Sequence, residues 1–292
     1  MGGEKHGIDR VADKSMMKYD TLKNPMPPRS KIAITLKDDI LQKLDRAVDG
    51  KIIRNRSHAI EYFLQKAFAT KAQKALIIAN HNDFSSLTPF EGKAVVEYQM
   101  ELLKKYGVQQ IMFLLHKKEG AVRDALGDGS KYGLQFTYQL QDGDDIGTAH
   151  AVSLAKEFVK DEIFFVMYSH VIADLDLSDF ATHHGEANAL ATIALTSIED
   201  PSRYGAVKIR GERIVGFEEK PKEKEGVSRV ISAGIFCLSP EIFNYIPKGK
   251  SASIEKDVFP RLIREEKIAG YMFEGKWCNV RNLMSFSRKR SG

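Results

Sequence analysis

Residues 75–79 read Ala75-Leu-Ile-Ile-Ala79, and this apolar run begins a long alternation of short apolar stretches and helical patterns. The next members are a helical segment from Gly92 to Tyr106 and an apolar run from Gln110 to Leu115. The alternation continues with a helical segment from Thr148 to Val159 and an apolar run from Ile163 to Tyr168. Such runs between helices are typical of strands that are covered on both faces. The sequence therefore predicts an α/β fold with a mixed, mainly parallel sheet.

The composition is that of a folded protein. The 292 residues are 43% hydrophobic and 28% charged, which excludes wholesale disorder. Every apolar run is far shorter than the roughly 20 residues that a membrane helix needs, and no secretory signal is expected. The two cysteines, Cys237 and Cys278, cannot form a disulfide framework. These features predict a cytoplasmic protein without a membrane partner.

Positive charge is concentrated in the first quarter of the chain. Residues 1–74 hold 16 Lys and Arg against 9 Asp and Glu, whereas the remainder is slightly acidic. This asymmetry indicates contact with a polyanion. Residues 1–28 have no hydrophobic period and include Pro25-Met-Pro-Pro28, so we predict a flexible basic arm.

A compact unit is predicted over residues 29–70. Ser30 to Leu36 alternates polar and apolar residues as a strand does. We expect one helix to begin at Asp38-Asp39 and to end near Gly50, and a second helix to begin at Ser57. Because one strand and two short helices cannot bury their own apolar faces, the unit is expected to form a homodimer.

This unit resembles the ribbon-helix-helix family of DNA-binding proteins. The resemblance rests on the strand Lys31 to Leu36, the helix through Leu44-Asp-Arg46 and the segment Arg54-Asn-Arg-Ser-His-Ala-Ile60. It implies that a two-stranded ribbon enters the major groove of double-stranded DNA and that the second helix begins at a phosphate. The implied DNA-binding residues are Lys31, Ala33, Thr35, Arg54, Asn55, Arg56 and Ser57. The alternative is a unit that serves only for dimerisation.

From Ala75 onward the chain resembles the sugar-1-phosphate nucleotidyltransferases, which implies a Rossmann-like domain over residues 75–292. The shared motifs, in the family's order, are Gly127-Asp-Gly-Ser-Lys-Tyr-Gly133, Gly147-Thr-Ala149, Asp200-Pro-Ser-Arg-Tyr-Gly205, Phe217-Glu-Glu-Lys-Pro221, Ser232-Ala-Gly-Ile-Phe236 and Ser253-Ile-Glu-Lys-Asp-Val-Phe-Pro260. Nucleotidyl transfer joins a sugar phosphate to a nucleoside triphosphate and releases pyrophosphate. Its catalysis rests on positioning and charge neutralisation.

The resemblance also implies that parts of this machinery are missing. The family's Gly-rich loop after the first strand is replaced by Asn80-His-Asn-Asp-Phe-Ser-Ser86, which contains neither glycine nor arginine. The family's two metal-binding aspartates are replaced by His170 and Asn279, which are poor ligands for Mg²⁺. The domain is therefore expected to be catalytically inactive, without catalytic or metal-binding residues and without a cofactor, Mg²⁺ included.

The base and sugar sides of the family's pocket are retained. The resemblance assigns ligand binding to Gln141, Gly147, Thr148, Ala149, Tyr204, Gly205, Glu219, Lys220, Ser232 and Gly234. A nucleotide or nucleotide sugar is the expected effector. The alternative is a scaffold without a ligand, in which Gly147 and Gly205 serve only the turns of the backbone.

Together these observations favour a DNA-binding transcriptional repressor, acting as a homodimer or as a tetramer on DNA. Its nucleotidyltransferase-like domain would serve as a ligand sensor or an oligomerisation platform. One alternative is a sugar-1-phosphate nucleotidyltransferase of altered mechanism that also binds DNA. A further alternative is a structural protein that coats DNA.

Overall fold

A computed structural model describes residues 33–51, 53–68, 72–79, 84–141, 147–222, 226–249 and 251–283. The chain divides into two units, Met1–Ile60 and Glu61–Gly292. The predicted basic arm, residues 1–28, lies outside the described residues. Within the described ranges no helix is long and apolar enough to cross a membrane.

The N-terminal unit contains α1 (Asp38–Ala47) and the first turns of α2 (Arg56–Phe68). Asp38 and Asp39 lie in the first turn of α1, where the helix dipole favours negative charge. Leu44, Ile53 and Ala59 are its buried hydrophobic residues. Helices are therefore found where the sequence predicts them.

The predicted ribbon is not found. Lys31 and Ile32 lie outside the described residues, and residues 33–37 form no strand. A strand needs a hydrogen-bonding neighbour, and the described part of the single chain supplies none for this segment. The expectation of a βαα unit is therefore wrong in its first element.

The capping residue of α2 lies two residues earlier than predicted, and the helix begins at Arg56. The Asn55 side chain accepts a hydrogen bond from the backbone N–H of His58 (2.9 Å), so Asn55, not Ser57, caps the helix. Arg56 donates two hydrogen bonds to Asp45, with distances of 2.5 and 2.8 Å. Because both side chains are largely exposed, this ion pair contributes little to stability.

The second unit is built on a nine-stranded mixed sheet in the order β5-β4-β1-β6-β11-β8-β12-β10-β9. Its strands are β1 (Lys74–Ala79), β4 (Gln110–His116), β5 (Gln135–Gln141), β6 (Phe164–Tyr168), β8 (Ala191–Ser197), β9 (Gly205–Arg210), β10 (Arg213–Glu219), β11 (Val230–Leu238) and β12 (Ile268–Met272). Two small sheets pair β2 (Pro89–Phe90) with β3 (Lys93–Ala94) and β7 (Val171–Ala173) with β13 (Trp277–Asn279).

The parallel part of the sheet is smaller than predicted. Strands β5, β4, β1 and β6 run parallel to one another, and so do β8 and β12. The pairings of β11 with β6 and β8, and of β10 with β9 and β12, are antiparallel. The prediction of a mixed sheet is confirmed, and its parallel region is the alternation that begins at Ala75.

Helices cover the sheet on both faces. They are α3 (Val95–Lys105), α4 (Gly120–Leu126), α5 (Thr148–Ser153), α6 (Lys156–Val159), α7 (Leu177–Glu186) and α8 (Phe259–Arg264), with a π-helical turn at Ile254–Val258 before α8. Alternate residues of β1 enter two separate hydrophobic clusters, with Ile77 on one side and Ile78 on the other. Strands β1, β4 and β6 are therefore buried on both faces, which leaves their carboxyl ends as the edge at which polar residues collect.

A buried histidine joins α7 to the sheet and makes stability depend on pH. The two ring nitrogens of His184 lie 2.8 Å from Thr192 Oγ1 and 2.9 Å from Ser239 Oγ. Burial, with a smaller contribution from His183, lowers the pKa of His184 to about 4. The unfolded chain therefore binds a proton at a pH where the folded protein does not, and stability falls as the pH drops below the ordinary histidine value of about 6.5.

We expect this histidine to reduce the free energy of unfolding by about 2 kcal/mol between about pH 7 and pH 5. Urea unfolding at the two pH values measures the loss. The substitution His184→Gln should remove most of the difference, and His150→Gln is the matched control. An equal pH dependence in the wild type and in His184→Gln would contradict the assignment.

Candidate functional site

The carboxylate of Glu255 connects three parts of the second unit. Its Oε2 accepts hydrogen bonds from Thr148 Oγ1 and from Ser253 Oγ, each at 2.8 Å. Its Oε1 accepts a hydrogen bond from the hydroxyl of Tyr168. Thr148 begins α5, Tyr168 ends β6 and Glu255 lies in the π-helical turn, so one side chain holds these elements together. We call Glu255, Thr148, Tyr168 and Ser253 the Glu255 cluster.

A second carboxylate, Glu219, lies beside the Glu255 cluster. Burial, followed by the negative charge of Glu255, raises the pKa of Glu219 above its usual range. A Cβ atom at Gly205 would lie 2.3 Å from the Phe217 ring and 3.1 Å from Glu219 Oε2. Glycine is therefore needed at position 205 for close packing against β10. Because glycine has no side chain, space remains beside the Glu219 carboxylate.

Lys220 follows Glu219 at the end of β10. Its Nζ lies 3.7 Å from Glu219 Oε1 and its side chain is largely exposed. Its backbone adopts φ 51°, and its N–H donates to the carbonyl of Tyr204 (3.0 Å). A cavity of about 430 Å³ opens beside it, lined by Lys208, Glu218, Glu219, Lys220, Lys222, Gly226 and Val227. Three ammonium groups and two carboxylates line this cavity, so positive charge exceeds negative charge there by one.

Aromatic and backbone contacts organise the remaining sugar-side residues. The ring of Tyr204 lies edge-on to Trp277, whose indole N–H donates to the carbonyl of Ala233 (2.9 Å). Ser232 accepts a hydrogen bond from the N–H of Gly234 (3.3 Å). Gly234 has φ 74°, and a Cβ there would lie 3.1 Å from Tyr168 Cδ2. Ser232 and Gly234 thus shape the backbone next to the Glu255 cluster.

The segment predicted to contact a nucleobase is held by its backbone. A Cβ atom at Gly147 would lie 2.0 Å from the carbonyl oxygen of Ala252, and the N–H of Ala149 donates to that same oxygen (3.0 Å). The Thr148 hydroxyl is directed to Glu255 and also accepts from the N–H of Ile254 (2.9 Å). Thr148 therefore joins the start of α5 to the π-helical turn that contains Glu255.

Gln141 ends β5, and β4 and β1 separate it from β6. Its side chain is 3% exposed, and among the described residues neither its Oε1 nor its Nε2 has a hydrogen-bond partner. An unsatisfied buried amide is costly, so a polar partner outside the described chain is favoured. The structure thus brings the sugar-side residues together around the Glu255 cluster and leaves Gln141 at a separate position on the same sheet.

The residues predicted to bind DNA form no such arrangement. Lys31 lies outside the described residues, and Ala33 and Thr35 are exposed on a segment without a strand. Arg54, Asn55, Arg56 and Ser57 are exposed at the start of α2, where Asn55 caps the helix and Arg56 pairs with Asp45. Asn55 and Arg56 therefore stabilise the local structure of the N-terminal unit.

The positions at which the resembled family has metal-binding aspartates do not fit Mg²⁺ in this chain. Ser169 and His170 follow β6, and Asn279 ends β13. Within the described ranges no three His, Cys, Asp or Glu side chains are placed to hold a metal ion. Mg²⁺ prefers several oxygen ligands, carboxylates among them, and the donors at these positions do not supply them.

The segment that replaces the Gly-rich loop is only partly described, because residues 80–83 lie outside the described ranges. In the described part, Ser85 Oγ donates to Glu119 Oε2 (2.9 Å). Burial raises the pKa of Glu119 above its usual range. This carboxyl group thus fixes the loop against the turn that follows β4.

Sequence reasoning missed the central residue of the site. Glu255 lies in the quoted motif Ser253-Ile-Glu-Lys-Asp-Val-Phe-Pro260, but nothing in its local pattern indicates contact with Thr148 or Tyr168. From sequence, Tyr168 is only the last residue of the apolar run Ile163 to Tyr168. The signal that could have pointed to it was a hydroxyl-bearing residue at the carboxyl end of a parallel strand.

The chain is similar to curated nucleotidyltransferases. It is 35% identical to a mannose-1-phosphate guanyltransferase of Yarrowia lipolytica, over 66% of this chain and 54% of the relative. It is 32% identical to a UTP–glucose-1-phosphate uridylyltransferase of Synechocystis, over 61% of this chain and 49% of the relative. The chain thus spans about half the length of the curated relatives it matches.

Solved structures confirm the fold. A candidate glucose-1-phosphate thymidylyltransferase of Bacillus anthracis superposes with a TM-score of 0.66 and 24% identity, covering 74% of this chain and 93% of the other. A UDP-glucose pyrophosphorylase in complex with UDP-glucose superposes with a TM-score of 0.62 and 17% identity, covering 75% and 99%. At these identities the likeness establishes an α/β nucleotidyltransferase fold with a mixed sheet.

These findings correct the predicted function. The matching relatives are named as nucleotidyltransferases, so the interpretation of the domain as a catalytically inactive sensor or platform is wrong. None of the comparisons supports a ribbon-helix-helix domain, and the structure shows no ribbon in residues 33–37. The predictions of a DNA-binding repressor and of double-stranded DNA as a partner are wrong for the same reason.

The fold and the relatives of similar sequence thus agree with the family that the motifs from Gly127 to Pro260 indicate. Residues 84–290 match the nucleotidyl transferase family, and this segment covers more than two thirds of the chain. The chain belongs to the nucleotidyl transferase family.

Proposed function

We propose that this protein is a sugar-1-phosphate nucleotidyltransferase, which joins a nucleoside triphosphate to a sugar 1-phosphate and releases pyrophosphate. The observation that carries the proposal is the Glu255 cluster. It ties Thr148, in the segment predicted to contact the nucleotide, to the sugar-side surface that contains Glu219. A site that must align two substrates requires such a rigid connection between its two halves.

The sugar side offers groups for both ends of a sugar 1-phosphate. The carboxylate of Glu219 accepts hydrogen bonds, as sugar hydroxyl groups require. The ammonium group of Lys220 supplies positive charge for the phosphate. In the reaction, a phosphate oxygen of the sugar 1-phosphate forms a bond to the α-phosphorus of the triphosphate. The bond to the β-phosphate oxygen breaks, and pyrophosphate leaves with that oxygen.

The reaction is tested with the purified 292-residue chain and a panel of nucleoside triphosphates and sugar 1-phosphates. Product nucleotide sugar is separated by chromatography, and pyrophosphate is measured independently. We expect stoichiometric formation of the two products for at least one pair of substrates. If no pair gives either product, with or without added divalent cations, the proposed function is overturned.

Lys220 gives a more specific prediction. Since its ammonium group is assigned to the phosphate of the sugar substrate, Lys220→Gln should raise the KM for the sugar 1-phosphate at least about tenfold, equivalent to about 1.4 kcal/mol. The KM for the triphosphate should change much less. Steady-state kinetics with each substrate varied in turn measures both constants. Lys156→Gln, an exposed lysine on α6, is the control, and equal effects of the two substitutions would contradict the assignment.

We also propose that the protein works in the cytoplasm. In support, Cys237 is buried and Cys278 is half-buried, and neither forms a disulfide. A reducing compartment maintains free thiols of this kind. Fractionation of cells that express the tagged 292-residue chain tests this location, and recovery of the protein in a membrane or extracellular fraction would contradict it.

A further inference from the structure

Gln99 is a polar residue on the buried face of α3. It is 1% exposed. Its neighbours on that face, Val96, Met100 and Leu103, belong to the hydrophobic cluster that also contains Ile77 of β1. An amide in such surroundings is costly unless it is hydrogen-bonded. The position of Gln99 therefore indicates a specific hydrogen-bonding role.

The amide of Gln99 holds the turn between β6 and β7. Its Nε2 donates to the carbonyl oxygen of Tyr168 and to that of Val171, each at 2.8 Å. These residues are the last of β6 and the first of β7, so one amide group spans the whole turn. Because carbonyl oxygens only accept hydrogen bonds, the nitrogen of the amide must face them, and both of its hydrogens are used. A side chain of α3 thus fixes the geometry of this turn.

Tyr168 transmits this contact to the Glu255 cluster. Its backbone carbonyl accepts from Gln99, and its hydroxyl donates to Glu255 Oε1. Its ring is stacked on His170 and lies edge-on to Phe236, with centroid distances of 5.8 and 5.5 Å. Since the aromatic side chain is rigid, a displacement of the Tyr168 backbone also displaces its hydroxyl. The position of the Glu255 carboxylate therefore depends on the turn that Gln99 holds.

The start of α3 is bonded in turn to the segment that follows β1. The N–H of Val95 donates to the carbonyl of Thr88 and the N–H of Val96 to that of Ser86, each at 3.0 Å. These bonds satisfy donors that the first turn of a helix leaves unpaired. Gln99 lies three residues after Val96 and hence on the same side of the helix. Hydrogen bonds therefore connect the segment after β1 with the Glu255 cluster by way of Gln99.

We propose that Gln99 is a positioning residue for nucleotidyl transfer, which sets the place of Tyr168 and, through it, of the Glu255 carboxylate. This inference rests on the proposed function and deepens it. Gln99 is buried beneath the site and touches neither substrate. Because Glu255 ties Thr148 to the sugar side, a displaced Glu255 misaligns the two substrates. Misalignment lowers the rate of the chemical step more than the affinity for either substrate.

The substitution Gln99→Met tests this role, because methionine has a similar length but no hydrogen-bond donor. We expect kcat to fall at least about tenfold, whereas the KM for each substrate changes less than about threefold. Steady-state kinetics of the 292-residue chain, with each substrate varied in turn, measures these constants. The control is Leu103→Val on the same buried face of α3, which weakens packing and should leave kcat within about twofold. Equal losses of kcat in the two variants would contradict the proposal.

A spectroscopic readout follows Tyr168 without requiring turnover. The ¹³C signal of the tyrosine Cζ atom responds to hydrogen bonding of the hydroxyl, and the substitution Tyr168→Phe identifies the signal of this residue. Gln99→Met should shift the Tyr168 signal by more than its line width, whereas Leu103→Val should not. If Gln99→Met does not fold, exchange of the side-chain amide hydrogens in the wild type decides the question. Those of Gln99 should exchange with water at least about a hundredfold more slowly than those of the exposed Gln109, and equal rates would overturn the proposal.

The outcomes separate this inference from the proposed function. An unchanged kcat or an unshifted Tyr168 signal in folded Gln99→Met overturns the positioning role and leaves the proposed function standing. A higher KM with an unchanged kcat also contradicts the positioning role, because it would assign Gln99 to substrate binding. A shifted Tyr168 signal in a protein that forms no nucleotide sugar supports the placement of Tyr168 by Gln99 and overturns the reaction.

Discussion

Replacing Gly147 with alanine is expected to lower the free energy of unfolding by at least about 3 kcal/mol, because the new methyl group has no space. It would lie 2.0 Å from the carbonyl oxygen of Ala252 and 2.5 Å from that of Ser251. Both obstacles are backbone atoms, so no side-chain rotation can relieve the clash. The chain would have to separate, and the hydrogen bond from Ala149 to Ala252 would be lost.

Urea unfolding of Gly147→Ala and of the wild type measures this effect, and the matched control is Gly120→Ala. Gly120 begins α4, and a Cβ atom there would meet nothing within 4 Å. Alanine at a helical position without a clash should be neutral or stabilise by up to about 1 kcal/mol. Similar midpoints for the two variants would show that the segments at Gly147 and Ala252 are not in close contact.

Gly147 also shows which structural constraints can be predicted from sequence and which cannot. The motif Gly147-Thr-Ala149 marks the position as special, and a turn that needs a positive φ is one explanation from sequence. The structure gives a φ of −75° at Gly147, which any residue adopts. The requirement comes from Ala252, about a hundred residues later in the chain. A contact of this kind is invisible to local pattern, although the motif that produces it is recognisable.

The same distinction separates the parts of the fold that were predicted from those that were not. The runs at Ala75, Gln110 and Ile163 became parallel strands because burial on both faces requires continuous apolar sequence. The prediction of a ribbon at Lys31 to Leu36 was wrong because an alternating pattern shows only that a strand could form. It does not show that a partner is present.

The site was predicted in part for similar reasons. Glu219 and Lys220 were identified through their motif, and they lie at the site as neighbours of the Glu255 cluster. Their ligand roles remain predictions. The prediction of a catalytically inactive domain rested on the missing Gly-rich loop and aspartates, and it was wrong. The absence of these residues does not show whether other residues perform their roles. The hydrogen bonds of Glu255 reach residues 87 and 107 positions away, so only the folded chain could show them.

Replacing Glu255 is the second large test, and it addresses the site itself. Glu255→Ala removes the acceptor of three hydroxyl groups, those of Thr148, Ser253 and the partly buried Tyr168. We expect a loss of about 3 kcal/mol in the free energy of unfolding, since hydrogen bonds to charged acceptors are among the strongest. Glu255→Gln keeps the shape and one acceptor atom, so it should cost only about 1 kcal/mol. Urea unfolding of both variants measures this difference.

The charge of Glu255 has an effect that a purely structural role would not produce. Because its negative charge adds to burial in raising the pKa of Glu219, Glu255→Gln should shift the pKa of Glu219 downward, toward its ordinary value. Carbon-detected NMR titration of ¹³C-labelled glutamate carboxyl groups measures this pKa directly in the folded protein. Glu274→Gln, at an exposed position, is the control. An unshifted Glu219 in Glu255→Gln would mean that the two carboxylates are not coupled. A downward shift would mean that the cluster, besides joining α5 to β6, sets the protonation of the group assigned to the sugar hydroxyls.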